Sequence, residues 1–240
     1  MRVLAIVHDV EAGPGVFRDA IGAAGAELDE WMLSEGRPPP GDPAAYDAVM
    51  TFGGPMHADQ DREHPWLTDE KALLADLLAR RMPLLGVCLG AQLLAEAAGA
   101  NARRVISGPE IGWYEVRTTN EARDDPLLAP LAARFEGLEW HSYEFPLPAG
   151  AVALASSDRC LQACRFADAA WGIQFHAEVT LRDFEAWVDD YRSDADAVAE
   201  GIDPEALRVE TRARIAPWNA LGRGLCDRFL AVAGSRSAFR

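Results

Sequence analysis

Apolar positions along the first hundred residues alternate between two periods. Val3 to His8, Asp47 to Phe52 and Leu84 to Val87 are short runs of core residues, each meeting glycine or polar residues at its end. Such runs read as buried strands. Between them the spacing becomes helical. Pro14 to Gly25 suits a helix ended by a glycine, and Ala26 to Leu33 alternates well enough for another strand. Leu67, Leu74, Leu77 and Leu78 share one helical face, so Pro65 to Arg81 is predicted as a helix stopped before Pro83. Gly90 to Ala98 is predicted as a helix ended by Gly99. Glu35 to Pro43, rich in Gly and Pro, is a surface loop.

This β-α-β-β-α-β-α order predicts an α/β fold: a doubly wound, mostly parallel sheet with helices on both faces. The middle of the chain changes character. Ile111–Arg117, Glu136–Trp140, Val152–Ser156, Leu161–Phe166 and Trp171–Phe175 read as short strands, some of them antiparallel additions to the sheet. After His176 the pattern is helical. Thr180 and Asp183 have capping-box spacing, and Leu181, Phe184, Trp187, Val188 and Tyr191 form an apolar stripe. Asp203-Pro204 suits a helix start, and Pro217 is expected to break or kink that helix. We therefore expect a catalytic domain over residues 1–181 and a C-terminal helical extension over 182–240, packed on the same domain.

Charge narrows the partners. The net charge of −15 repels phosphate backbones, which argues against nucleic acid. No apolar run approaches the length of a membrane span, and the first strand is too short for a signal peptide, so a cytoplasmic location is expected. Lys71 is the single lysine, which nearly excludes P-loop and Schiff-base chemistry. Of the four cysteines, Cys160 and Cys164 lack a matching pair for zinc and are expected to pack in a strand.

Cys88 differs from these. Gly86-Val87-Cys88-Leu89-Gly90 joins a strand to a helix, the cysteine form of a nucleophile elbow. The flanking glycines leave room for a strained turn, and a helix N-terminus favours a thiolate. A thiolate nucleophile needs a base. His176, two residues before Glu178 on extended chain, can face the same site as that carboxylate, which would orient the imidazole. An oxyanion hole could come from the N–H of Leu89 and from the Gly53-Gly54-Pro55 turn.

Three segments together resemble the class I (triad) glutamine amidotransferases: Thr51-Phe52-Gly53-Gly54-Pro55-Met56, Gly86 to Leu93, and Gly172 to Glu178. The resemblance covers roughly Val3 to Leu181. It is nearest to the stand-alone members similar to the glutaminase domain of GMP synthase, supported by Gly108 to Trp113 and Trp140-His141-Ser142. It implies a Cys88–His176–Glu178 triad that forms a γ-glutamyl thioester, with an oxyanion held by the N–H groups of Gly54 and Leu89. It further implies that Gln92 contacts the amino-acid end of the substrate, and that Gly53, His141 and Ser142 line the same pocket, the last two through backbone. No cofactor and no metal are implied.

The implied partners are glutamine or another γ-glutamyl small molecule and, because no acceptor domain is present, a separate synthase subunit; a homodimer is left open. Three readings compete: an ammonia-supplying glutaminase, a γ-glutamyl peptidase or hydrolase, and a non-catalytic binding or regulatory module. Two departures from the family pattern stand out. Ala177 sits where many members have proline, and Ser142-Tyr143-Glu144 replaces a Gly-Asp pair, which bears on pocket shape. His57 and His64 follow the Gly-Gly-Pro turn and could reach the cleft, but exposed loop positions are the expectation for both.

Overall fold

The computed structural model describes residues 1–237. Its core is a nine-stranded sheet. The strands, in chain order, are β1 (Arg2–Val7), β2 (Glu27–Met32), β3 (Ala48–Thr51), β4 (Leu84–Val87), β6 (Glu110–Thr118), β7 (Arg134–His141), β9 (Val152–Ser156), β10 (Leu161–Ala167) and β11 (Ala170–Ile173). The order across the sheet is β2-β1-β3-β4-β11-β10-β9-β6-β7. From β2 to β11 the neighbours are parallel, and from β11 to β7 they are antiparallel. A separate two-residue ribbon joins β5 (Arg103–Arg104) to β8 (Tyr143–Glu144). The fold is thus the doubly wound sheet that the sequence predicts, with antiparallel additions.

Apart from the exposed Arg2 and the buried Thr51, β1, β3, β4 and β11 carry only buried apolar residues and glycine, because both faces are covered. On one face lie α2 (Trp66–Ala79) and α3 (Leu89–Ala97), around Leu67, Leu74, Leu77, Leu93 and Leu94. On the other face α1 (Phe17–Ala23) packs with the long α6 (Pro204–Ser237), around Phe17, Ile21, Trp218 and Phe229. Between them in the chain, α4 (Leu181–Asp189) begins at the expected capping box: the Thr180 hydroxyl and Asp183 serve each other's backbone. A short α5 (Ala195–Glu200) is capped by Asp194. Among the described residues no helix is long and apolar enough to cross a membrane.

Two expectations are corrected. Pro217 does not break α6, which is assigned as helix from Pro204 to Ser237. Pro217 sits on the exposed face, so the carbonyl it leaves without an amide partner, at exposed Ala213, meets water, while Ile215 and Trp218 on either side are anchored in the core. Trp171 to Phe175 is not one strand either. Pairing as β11 ends at Ile173, after which Gln174 N–H donates to Gln162 and His176 N–H donates to Leu138, so the chain crosses from β10 to β7.

Three strands fix the working end of the sheet. In register, Thr51 pairs with Gly86, and Gly86 with Gly172. Their C-terminal ends therefore emerge side by side, where open α/β sheets hold their ligands. The helix after β4 passes directly over β3: a Cβ on Gly90 would lie 2.1 Å from the Thr51 carbonyl oxygen, and one on Gly86 would lie 2.6 Å from the Gly90 carbonyl oxygen. Gly90→Ala is expected to destabilise the protein by about 3 kcal/mol or more, because the obstruction is backbone. A urea-unfolding midpoint equal to that of the wild type would contradict this packing.

Candidate active site

Cys88 stands between β4 and α3 with φ 52° and ψ −112°, one of two non-glycine residues with positive φ among the described residues. Such a conformation is strained and persists only where surroundings hold it. Here the Cys88 N–H donates to Ile173 O and the Gly90 N–H to Phe52 O, tying the turn to both neighbouring strand ends. The cysteine is 6% exposed and lines a cavity of about 400 Å³ together with Gly54, Leu89, Gln92, Trp140 and His176. As the first residue of α3, Leu89 has an N–H without an acceptor in its own helix.

His176 reaches the same cavity from the end of the β11 segment. Its Nδ1 is 2.8 Å from Glu178 Oε1, both side chains being buried. That leaves Nε2 for the thiol side, and Cys88 Sγ itself contacts Trp140 O at 3.9 Å. Burial opposes protonation of His176, but the charges of Glu178 and Cys88 and their hydrogen bonds outweigh it, so its pKa lies well above the ordinary 6.5. Gly53 closes the third side. A Cβ there would lie 3.2 Å from His176 Cε1 and 3.7 Å from Cys88 Cβ. The three sequence segments thus meet at one point.

The backbone carrying His176 and Glu178 is held residue by residue, a feature the sequence does not announce. Trp218 Nε1 donates to His176 O and Asn219 Nδ2 to Val179 O, both at 2.7 Å. Val16 N–H donates to Glu178 O at 2.7 Å. Gly222 brings α6 against Ala177: a Cβ on Gly222 would lie 1.9 Å from Ala177 O. Trp218, Asn219 and Gly222 read in the sequence as ordinary positions of an amphipathic helix, and only their common face, three and four residues apart, hints at a shared target.

The remaining predicted residues are distributed unequally. Gln92 lines the cavity, but its Nε2 is engaged by Tyr143 O at 3.1 Å and Gln174 Oε1 at 3.3 Å, leaving its Oε1 for a ligand. Ser142 lines the cavity too; its carbonyl accepts from Val105 N–H and its hydroxyl meets Asp196. The His141 ring points inward, away from the cavity. Its Nδ1 bonds Tyr143 O at 2.9 Å, and its Nε2 stands 3.2 Å from Glu110 and 3.3 Å from Glu139, poorly aligned with either. Burial opposes charge on His141, but the two carboxylates overcome it and push its pKa to about 10. Burial also pushes Glu139 up to about 7; at Glu110 burial acts the same way, but the neighbouring His141 outweighs it and keeps the pKa low.

Glu110, His141 and Cys160 offer ligand atoms within 4.8 Å of one another. Burial pushes the Cys160 thiol far up, Gln162 Nε2 already occupies Glu110 Oε2 at 2.7 Å, and the imidazolium supplies the cation between the carboxylates. The group is therefore held by the charge of the imidazolium between the two carboxyl groups, while Glu110 Oε1, both Glu139 oxygens and His141 Nε2 make no hydrogen bond. His57, expected to be exposed, is half-buried and lines the cavity, stacked at 4.2 Å on Tyr143. His64 is half-buried beside Trp66. The Tyr143 hydroxyl donates to Asp59, so the tyrosine that departs from the family pattern is fixed as a wall.

A strained cysteine at a strand-to-helix elbow, facing a buried His–Glu pair on a doubly wound sheet, defines the elbow-nucleophile class of α/β proteins. Within that class, the chain belongs to the class-I glutamine amidotransferase family, whose family model matches residues 34–190. It is 27% identical to the glutamine amidotransferase-like protein YfeJ of Salmonella typhimurium, over 91% of each chain. It is 33% identical to a subunit of the glutamine-hydrolyzing GMP synthase of Halobacterium salinarum, over 61% of this chain and 74% of that one. Among solved structures, a glutamine amidotransferase from Thermotoga maritima superposes with TM-score 0.86 at 29% identity, covering 95% of this chain and 97% of that one. At that coverage the likeness takes in most of α6, beyond the residues of the family model.

The clamp of α6 and the buried network each have a measurable effect. On helix propensity alone, Gly222→Ala would stabilise α6 by about 1 kcal/mol. The contact with Ala177 reverses the sign, and we expect a loss of about 1–3 kcal/mol in thermal unfolding together with slower alkylation of Cys88. Stability should also fall with rising pH. Glu139 binds protons more tightly folded (about 7) than unfolded (4.5), and so does His141 (about 10 against 6.5), so stability is lost between about pH 4.5 and 10. His141→Gln should flatten the upper part of that window, above pH 6.5; a urea midpoint independent of pH in the wild type would contradict the network.

Proposed function

We propose that Cys88 cleaves the γ-amide of glutamine. The observation that carries this reading is the convergence of Cys88, the His176–Glu178 pair and the Gly53-Gly54 turn on one cavity. Cys88 Sγ attacks the γ-carbonyl carbon, and the negative oxygen is received by the N–H groups of Gly54 and Leu89. The carbon–nitrogen bond breaks, ammonia leaves with a proton from His176, and a γ-glutamyl thioester remains. Water, deprotonated by the same imidazole, releases glutamate. Glu178 orients the ring, Gln92 Oε1 receives the amino-acid end of the substrate, and the backbone at His141 and Ser142 shapes the wall beside it. In this reading residues 1–181 supply the chemistry, 182–240 brace it, and the protein works in the cytoplasm. The likeness to the Halobacterium GMP synthase subunit supports delivery of ammonia to a separate synthase subunit.

A second reading is favoured by cavity size. About 400 Å³ lies in the ~300–1,000 Å³ range of pockets for drug-sized ligands, more than free glutamine needs. A γ-glutamyl amide with a larger leaving amine would fill it, hydrolysed by the same steps.

Comparing kcat/KM for ammonia release from glutamine with that for hydrolysis of γ-glutamyl dipeptides decides between them. Cys88→Ala should abolish either activity, by about 10⁴-fold or more, with the circular dichroism spectrum unchanged. A wild-type protein inactive on both classes, or activity surviving in Cys88→Ala, would refute the hydrolytic reading.

A further inference from the structure

His8, directly after β1, takes no part in the chemistry above, yet its ring is completely enclosed. Nδ1 lies 3.0 Å from Phe52 O and 3.1 Å from Gly53 O. Nε2 lies 2.7 Å from Glu70 Oε2, on α2. The other Glu70 oxygen accepts the Thr51 hydroxyl at 2.6 Å. The ring also stacks on Trp66, centroids 5.3 Å apart and planes 11° apart. Carbonyl oxygens only accept, so Nδ1 carries a proton and donates it to the turn. Burial opposes charge on this ring, but Glu70 and the two carbonyls outweigh it and raise its pKa.

The Gly53 carbonyl and the Gly54 N–H belong to one peptide unit. That unit is planar and trans, so its oxygen and its hydrogen point in opposite directions. A donor that holds Gly53 O inside the fold therefore turns Gly54 N–H outward, on the side where Gly54 lines the cavity with Cys88 and Leu89. A Gly-Gly peptide resists rotation less than any other, so this orientation needs an anchor. Donation into the carbonyl also strengthens the N–H of the same peptide as a donor.

We infer that His8, backed by Glu70, is a positioning residue that locks the Gly53–Gly54 peptide with its N–H presented to the oxyanion. The inference rests on the hydrolytic reading for its purpose, though not for its geometry. It makes the oxyanion hole a permanent part of this chain, formed without a partner protein.

The test compares His8→Ala, His8→Asn and Glu70→Gln with the wild type. Asparagine places an amide N–H near the position of Nδ1. Three quantities are read: kcat and KM on glutamine or a γ-glutamyl dipeptide, the rate of Cys88 alkylation by iodoacetamide, and the Gly54 amide signal in ¹⁵N-glycine-labelled protein. Alkylation forms no oxyanion, so it reports the thiol alone. His8→Ala should lower kcat about 10²-fold, the scale of losing one oxyanion donor. KM should stay within about threefold and alkylation should be unchanged.

His8→Asn should recover at least about tenfold of that loss, and Glu70→Gln should lose about tenfold, again without effect on alkylation. The Gly54 signal should move or double in His8→Ala and return in His8→Asn. Should His8→Ala fail to fold, His8→Asn and Glu70→Gln carry the comparison. A parallel fall in kcat and alkylation, no change in kcat, or an asparagine variant no better than alanine would overturn the inference. If the wild type hydrolyses neither substrate while Gly54 still moves in His8→Ala, the hydrolytic reading fails and the hold of His8 on the peptide stands. If Gly54 does not move, the hold fails whatever the activity.

Discussion

The contact on which the site depends is the crossing of α3 over β3 at Gly90. The Thr51 carbonyl occupies the space a side chain would need, and on the adjacent strand Gly86, level with Thr51, leaves room for the backbone of Gly90 and Ala91. With no atom between them, helix and strand approach to backbone contact, and the chain can turn at Cys88 in a conformation that non-glycine residues avoid. The strain is held by N–H bonds to Phe52 and Ile173, one from each flanking strand. Because β3, β4 and β11 run parallel and in register, the same three strand ends deliver the glycine turn, the cysteine and the histidine. Proximity at the cavity is thus a property of the sheet, and the loops inherit it.

Buried charge follows a common arrangement. The chain carries a net charge of −15, yet near the cavity each of three buried histidines stands against buried carboxylate: His8 with Glu70, His176 with Glu178, His141 with Glu110 and Glu139. Ion pairs removed from water cost about as much in desolvation as they return in attraction, so their contribution is geometric more than energetic. Each ring has one nitrogen on a carboxylate and the other on backbone or thiol. A carboxylate on one side sets which way the other side faces, and so each pair aims a hydrogen-bonding group at a fixed place.

Much of this is legible in the sequence, and the limits have physical causes. The elbow can be read because a strand, two glycines and a helix lie within a dozen residues, and local geometry alone demands them. His176 and Glu178 can be read because an alternation of two puts them on one side of an extended chain. His8 cannot: its partners come from β3 and α2, and nothing near it in the chain implies that β1 lies beside β3. Trp218 and Gly222 are hidden for the same reason, since an amphipathic helix announces that it has a buried face but not what it meets there. Family resemblance places His141 at the pocket wall through its backbone. His141 does line the cavity, and its ring turns inward beside Glu110 and Glu139, on β6 and β7, whose place no local pattern announces. The burial of His57 escapes the sequence because Tyr143, its stacking partner, is remote along the chain.

The clamp of α6 on the His176–Val179 backbone has a consequence in time as well as in space. Residues emerge from the ribosome in order, at about 5–20 per second. Cys88 therefore emerges well before Ile173, which holds its turn, and before Trp218, Asn219 and Gly222, which hold the backbone of His176 to Val179. During those seconds of synthesis Cys88 lacks the strand and the helix that fix the groups around it in the folded protein. The docking of α6 on segments made before it is thus what fixes the backbone of His176 and Glu178 beside Cys88.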